Sequence, residues 1–158
     1  MRKRAVKGGA KINDFGPNRR TALIAAVRLP IVLPSNAEAI WWLLENGADA
    51  NLKGEGGLND VEGIPLHVLV AMNKGERPLA EATLMSLLKV GAKVSGVDSR
   101  GRTPLHVAAK FDRVRAAEIL IREGAKVMPR DKNGKTPLDY AESAAMIKLL
   151  KQNGATER

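Results

Sequence analysis

The stretch GRTPLHVAAKFDRVRAAEILIREGA, Gly101 to Ala125, decides the fold. It opens on Thr103-Pro104-Leu105-His106. The threonine hydroxyl can cap a helix, and proline suits the first helical position, where its missing N–H costs nothing. A short apolar helix is predicted through Val107, Ala108 and Ala109, and a second running to Ile119, Leu120 and Ile121. Gly124-Ala125 stops the second, because glycine accepts the left-handed conformation just past a helix end. Neither helix is long enough to persist alone in water. Such a unit holds together only when stacked on copies of itself.

Copies are present. Pro137, in Thr136-Pro137-Leu138-Asp139, follows Pro104 by 33 residues. Upstream, Ile64-Pro65-Leu66-His67 and Thr21-Ala22-Leu23-Ile24 take the same place, and apolar helices close on Gly47-Ala48, Gly91-Ala92 and Gly154-Ala155. A period of 33 residues carrying T-P-L-H is the signature of the ankyrin repeat, and the chain resembles that family over essentially its whole length. The resemblance implies an all-α repeat protein, a solenoid of stacked helix–turn–helix units with short β-hairpin fingers. The units expected are a partial repeat end with a basic tail over 1–16 and repeat one over 17–50. A long finger with repeat two follows over 51–97, then repeat three over 98–130 and a capping repeat over 131–158.

At 158 residues the chain is one domain, burying apolar surface between neighbouring repeats rather than in one central core. There is no cysteine, which excludes disulfides, thiolate metal sites and cysteine nucleophiles. No apolar run approaches the ~20 residues that span a bilayer, so no membrane insertion is expected. The net charge of +9 is unevenly placed. Residues 1–20 hold seven Lys/Arg against one acid and residues 101–130 seven against three, whereas 21–75 hold three against six. Such a balance fits a solvated surface with a basic tail, or a partner with an acidic face.

Gly9-Ala10-Lys11-Ile12-Asn13 reads as the end of a repeat, since Gly9 precedes Ala22 by 13 residues, as Gly91 precedes Pro104. The expectation is that the natural chain extends upstream of Met1, with a further repeat or a secretory signal segment there. The second case would place the protein in the periplasm; the default is the cytoplasm. Repeat one has 25 residues from Ala22 to Gly47 where Pro104 to Gly124 spans 20. The excess lies at Leu29-Pro30-Ile31-Val32-Leu33-Pro34, whose prolines predict an extended or turn-like insert. Ile31 and Leu33 either fold back over the open end of the stack or anchor a partner. Trp42 falls in the apolar register of the next helix; Trp41 aligns with Glu118 and is expected to pack on the insert. The connection from Gly47 to Pro65 is also long and glycine-rich, through Leu52, Lys53, Glu55, Leu58 and Asp60. Repeat two has its own insertion near Asn73 to Pro78, so elaboration is concentrated in the first half. Repeat four is three residues short, and Lys151 replaces the apolar Ile121, which reads as a cap.

The resemblance implies recognition through fingers and inner helices. The positions it singles out are Arg20, Arg28 and Leu29 in repeat one and Asp60 and Met72 in repeat two. Repeat three supplies Arg100, Arg102, Lys110 and Phe111, and the cap Lys132 and Lys135. Phe111, between basic residues, is either an apolar anchor or a filler of the turn between helices. His67 and His106 are given a structural role by the resemblance, hydrogen-bonding backbone of the adjacent repeat. They have no third ligand at metal spacing, so no metal or cofactor is expected. Ser35, Ser86, Ser95, Ser99 and Ser143 lack a nearby base, and Gly54-Glu55-Gly56-Gly57 lacks the Lys-Ser/Thr of a phosphate loop. No enzyme is read here.

The partner expected is another folded protein with an acidic surface, bound by a chain that is a monomer on its own. Nucleic acid is the rival suggested by a pI near 10.1. It is disfavoured because no groove-reading motif is present and aromatic residues for stacking are 3% of the chain. Small stand-alone ankyrin proteins of bacterial type can be stoichiometric inhibitors that protect a cell from its own hydrolases, including cell-wall enzymes. The resemblance implies that role here, with a plain scaffold or adaptor as the alternative.

Overall fold

The computed structural model describes residues 11–16, 19–28, 34–54, 63–72 and 78–157. Helices form where an apolar run follows a capping residue or a proline. In order they are α1 (Ala22–Val27), α2 (Pro34–Glu45), α3 (Pro65–Met72), α4 (Pro78–Lys89), α5 (Pro104–Lys110) and α6 (Val114–Arg122). A 3-10 helix (Pro137–Tyr140) and α7 (Ala144–Gln152) complete the order. Consecutive elements pair as antiparallel neighbours, and the pairs stack: α1 on α3, α3 on α5 and α5 on the 3-10 helix in an inner row. The outer row packs α2 on α4 and α6 on α7, whereas the backbones of α4 and α6 scarcely approach each other. Side chains span that gap, Arg115 Nε to Glu81 Oε1 at 3.2 Å and Arg122 Nη2 to Met85 Sδ at 3.6 Å.

Burial follows from these two rows. Inner helices have neighbours on nearly every side, so α3 buries every residue from Pro65 to Ala71 and α5 every residue from Pro104 to Ala109. Outer helices keep one face in water, and α6 buries Ala117, Ile119 and Leu120 while Arg115 and Arg122 are exposed. Each outer helix ends alike. Gly124 takes φ +91° and its N–H donates to the Ile121 carbonyl, while Ala125 N–H donates to Leu120. The same pair of bonds closes α2, α4 and α7 at Gly47, Gly91 and Gly154. In the last pair the three missing residues leave no room for a full inner helix, hence the four-residue 3-10 helix.

The expected β-hairpin fingers are reduced to tight turns. Asp98 N–H donates to Arg102 O at 3.0 Å and Asp131 N–H to Lys135 O at 2.9 Å. Among the described residues only isolated bridges form, Gly16 with Arg20, where the loop is too short for more than one rung, and Gly54 with Gly63. The Gly54–Gly63 bond, 3.1 Å, closes the base of the long second finger. Adjacent fingers touch: Lys132 N–H donates to Arg100 O at 3.0 Å, and a Cβ on Gly101 would stand 3.0 Å from Lys132 N. The insert at 29–33 and residues 73–77 lie outside the described residues, as does the packing of Trp41 on the first insert. Trp41 itself is half-buried and packs against the core. Counted from the closing glycines it shares a stripe with Met85 and Glu118 that faces the next outer helix, and α4 stands close enough to cover it.

Between pairs, asparagine makes a clamp that the sequence pattern did not single out. Asn51 Nδ2 donates to Gly91 O at 2.9 Å and its Oδ1 accepts from Lys93 N–H at 2.8 Å. Asn13 repeats this on Gly47 O and Asp49 N–H, at 3.1 and 2.8 Å. Ser95 and Met128 stand at the corresponding positions farther along. Asn51→Ala removes two inter-pair bonds and is expected to cost about 1–3 kcal/mol in urea unfolding. Ser95→Ala, which breaks no such clamp, should stay within about 0.5 kcal/mol.

Candidate functional site

The fingers are built around buried carboxylates. Asp98 Oδ1 accepts from the backbone N–H groups of Arg100 and Arg102 at 2.9 and 2.8 Å. Its Oδ2 accepts from Arg102 Nε and Nη2, both at 2.7 Å. Asp131 repeats the backbone pattern on Asn133 and Lys135, but its Oδ2 takes the Tyr140 hydroxyl at 2.6 Å instead. Burial alone would raise the Asp131 carboxyl; the Tyr140 hydroxyl and the two N–H donors outweigh it and hold the pKa below the usual range. Each acid thus turns inward to shape its loop. The cations Arg100, Lys132 and Lys135 remain exposed.

Arg102 corrects its sequence reading. Expected on the recognition surface, it is 2% exposed, forked onto Asp98 inside the stack. A buried carboxylate needs an ion partner, and the guanidinium four residues on supplies two parallel bonds. The Asp-x-x-Gly-x-Thr-Pro frame, Asp98 to Pro104 and Asp131 to Pro137, was the available signal for both acids.

The histidines tie each inner helix to the following finger. His67 Nε2 lies 2.8 Å from Arg102 O, and His106 Nε2 lies 3.0 Å from Lys135 O. A carbonyl accepts, so each Nε2 carries the proton and each Nδ1 offers a lone pair. At His106 that lone pair is used: Thr103 N–H donates to Nδ1 at 3.0 Å, and the Thr103 hydroxyl is 2.9 Å away. Thr103 and His106 thus form a capping box at the start of α5, the ring accepting from the Thr103 N–H. At His67 the residue three positions earlier is Ile64, not threonine, and Nδ1 is buried with no hydrogen-bond partner among the described residues. Burial pushes His67 down to about 4, against the Arg102 carbonyl and Asp98, which work to raise it. His106 is lowered by the same cause.

A second group sits at the turns between paired helices. Phe111 is half-buried against the core, with Lys110 Nζ 5.5 Å and Arg113 Cζ 6.0 Å from its ring centroid. Arg113, which the sequence reading passed over, donates from Nη1 to Phe111 O at 2.6 Å and from Nη2 to Ala71 O at 3.2 Å. It thereby fixes this turn to the end of α3. Met72 and Leu52 are half-buried, and Lys53 is exposed. Arg28, half-buried at the end of α1, is lowered by burial and then by neighbouring Arg20. The structure therefore separates the expected positions into a finger row and a turn row. Leu29, Ile31, Leu33, Glu55, Leu58 and Asp60 lie outside the described residues.

Among the described residues no three of His, Asp and Glu gather to hold a metal, and no helix is long and apolar enough to cross a membrane. A shallow depression of about 190 Å³ lies at the C-terminal end of the stack, walled by Met128, Leu138 and Ile147. Stacked helix pairs, closing glycines and histidine-tied fingers define a solenoid of helical repeats. The chain belongs to the ankyrin-repeat family: the family model, ankyrin repeats in three copies, matches residues 66–157. Ankyrin repeats bind protein partners, and the family is typically a non-catalytic interaction module. No curated protein matches the chain.

The two kinds of finger cation should respond differently to truncation. Arg102→Ala strands the Asp98 carboxylate and is expected to cost about 3–5 kcal/mol in urea unfolding. Lys132→Ala, at an exposed position, should stay within about 0.5 kcal/mol.

Proposed function

We propose that the finger row docks a folded partner protein through an acidic face of that partner. The carrying observation is the division of charge within each finger: Asp98 and Asp131 are buried as loop anchors, while Arg100, Lys132 and Lys135 point to water. The fingers are therefore more cationic at their surface than in their sequence. Phe111 with Lys110, in the turn row, adds an apolar contact with a charged surround, the composition that carries binding energy at interfaces. With the long second finger, such a surface suits the ~800 Å² per partner of a standard complex. In this reading the chain is a monomer on its own and performs no chemistry.

In its finer form the proposal is that of a stoichiometric inhibitor, which shields a bacterial cell from its own hydrolase, such as a cell-wall enzyme, by covering that enzyme's cleft. What supports this form is the resemblance to small stand-alone ankyrin proteins. A scaffold or adaptor uses the same surface without inhibition. Nucleic acid would place phosphates where the proposal places carboxylates.

The test compares wild type with Arg100→Glu/Lys132→Glu/Lys135→Glu, first by capture from the source organism and then by titration of the captured partner. Affinity is expected to fall at least about tenfold in the charge-reversed chain, chiefly through electrostatic complementarity. Undiminished affinity overturns the finger assignment. Binding of unrelated DNA that survives high salt overturns the protein reading. Full turnover of a captured hydrolase under saturating ankyrin protein removes the inhibitory form and leaves the scaffold.

A further inference from the structure

Among the described residues the joints between pairs are of two kinds, and no joint carries both. Asparagine ties the N-terminal joints, Asn13 to the loop after α2 and Asn51 to the loop after α4. Histidine ties the next two, His67 from α3 to the finger before α5 and His106 from α5 to the finger before the 3-10 helix. An amide does not titrate near neutrality, whereas an imidazole does. The joint between the α3–α4 and α5–α6 pairs differs from its neighbours twice over. Its outer helices stand farther apart and meet through side chains, and among the described residues its histidine is the one whose Nδ1 is buried without a partner.

We propose that the joint between α3–α4 and α5–α6 is an acid-opened hinge, released when His67 takes a second proton that its buried site cannot accommodate.

The incoming proton has only Nδ1 to occupy, because Nε2–H already faces the Arg102 carbonyl. There it becomes a buried donor with nothing to receive it, on a ring that now carries charge. Among the described residues the charged groups facing His67 are Asp98 and Arg102 from the next finger and Lys53 from its own pair's finger. Asp98 favours the charged ring through space, but its oxygens are engaged by Arg102 and the finger N–H groups, and Arg102 and Lys53 oppose it. At His106 the Thr103 hydroxyl lies 2.9 Å from the same ring atom and can turn to accept, so the following joint tolerates the proton better. Swinging the 98–102 finger outward returns His67 to water. Arg113, bonded to Ala71 O at the other end of α3, holds the two pairs together and serves as the pivot. Glu81 and Arg115 are the charged pair on the outer side that must stretch or part.

The sign follows from His67 lying below its ordinary value when closed. Above about 6.5 neither closed nor open form binds the proton, and acid sensitivity is absent. Between about 6.5 and about 4 only the open form binds it, so the closed-to-open ratio falls by up to about tenfold per pH unit.

The test uses the full chain, whose lack of cysteine lets two be introduced cleanly. Spin labels at Lys89→Cys and Lys126→Cys span the hinge; labels at Lys126→Cys and Gln152→Cys span the joint beyond it. The first distance is expected to lengthen from pH 7 to 5 while the second holds, and His67→Gln should abolish the change. No change in wild type, an unaltered change in His67→Gln, or both distances changing together each overturn the hinge. Should His67→Gln fail to fold, Ile64→Thr decides, because its hydroxyl gives Nδ1 a partner and must move the opening to lower pH. An unmoved midpoint in Ile64→Thr overturns the proposal.

Discussion

The bond on which the array depends is an imidazole N–H reaching from one inner helix to a carbonyl in the next finger. Helices of six to nine residues, such as α1, α3, α5 and α6, gain little from their own backbone bonds. Apolar burial between pairs supplies the driving force but is indifferent to small rotations of one pair on the next. The His67–Arg102 and His106–Lys135 bonds, and the Asn13 and Asn51 clamps, fix the rotation. Because the acceptor carbonyls belong to fingers, the bond that orients the stack also places the surface offered to a partner. Fold and recognition share those atoms.

That sharing explains the electrostatics of the fingers. A loop of five residues cannot satisfy its own N–H groups by a ladder, so Asp98 and Asp131 turn inward to accept them. Once the acids are spent on architecture, the cations of the same loops dominate the exterior. Arg102 is the exception that keeps the balance inside, neutralising a carboxylate that would otherwise stand charged and dry. Tyr140 does the equivalent work for Asp131 with a neutral hydroxyl. Of two lysine- or arginine-bearing positions four residues past an aspartate, one is therefore sealed and the other, Lys135, is free to lie over the Tyr140 ring at 5.4 Å.

Much of this could be read from the chain alone, and the boundary of legibility has physical causes. Thr-Pro-Leu-His and Gly-Ala are local signals, each tied to a backbone requirement, so they located inner helices and helix ends. The shortened last unit showed itself by counting. Arg102 was misread because a charged residue at a hairpin ordinarily faces water; its burial depends on Asp98, whose own burial depends on the neighbouring finger. The asparagine clamps escaped notice because they join residues 34 to 42 positions apart and recur only twice. Leu29, Ile31, Leu33, Glu55, Leu58 and Asp60 keep the standing that the sequence gives them.

Lys148 and Lys151 lie exposed on the final outer helix, the latter paired with Glu157, at the end where Ile121 sits one unit earlier. A repeat protein whose terminal face resembled its internal ones would invite head-to-tail growth, each molecule serving as the next unit of a lengthening fibre. Here an arriving copy would have to strip water from two ammonium groups and part an ion pair. Two lysines on this face therefore raise the cost of laying a second copy end to end, although every module within the array is built to stack.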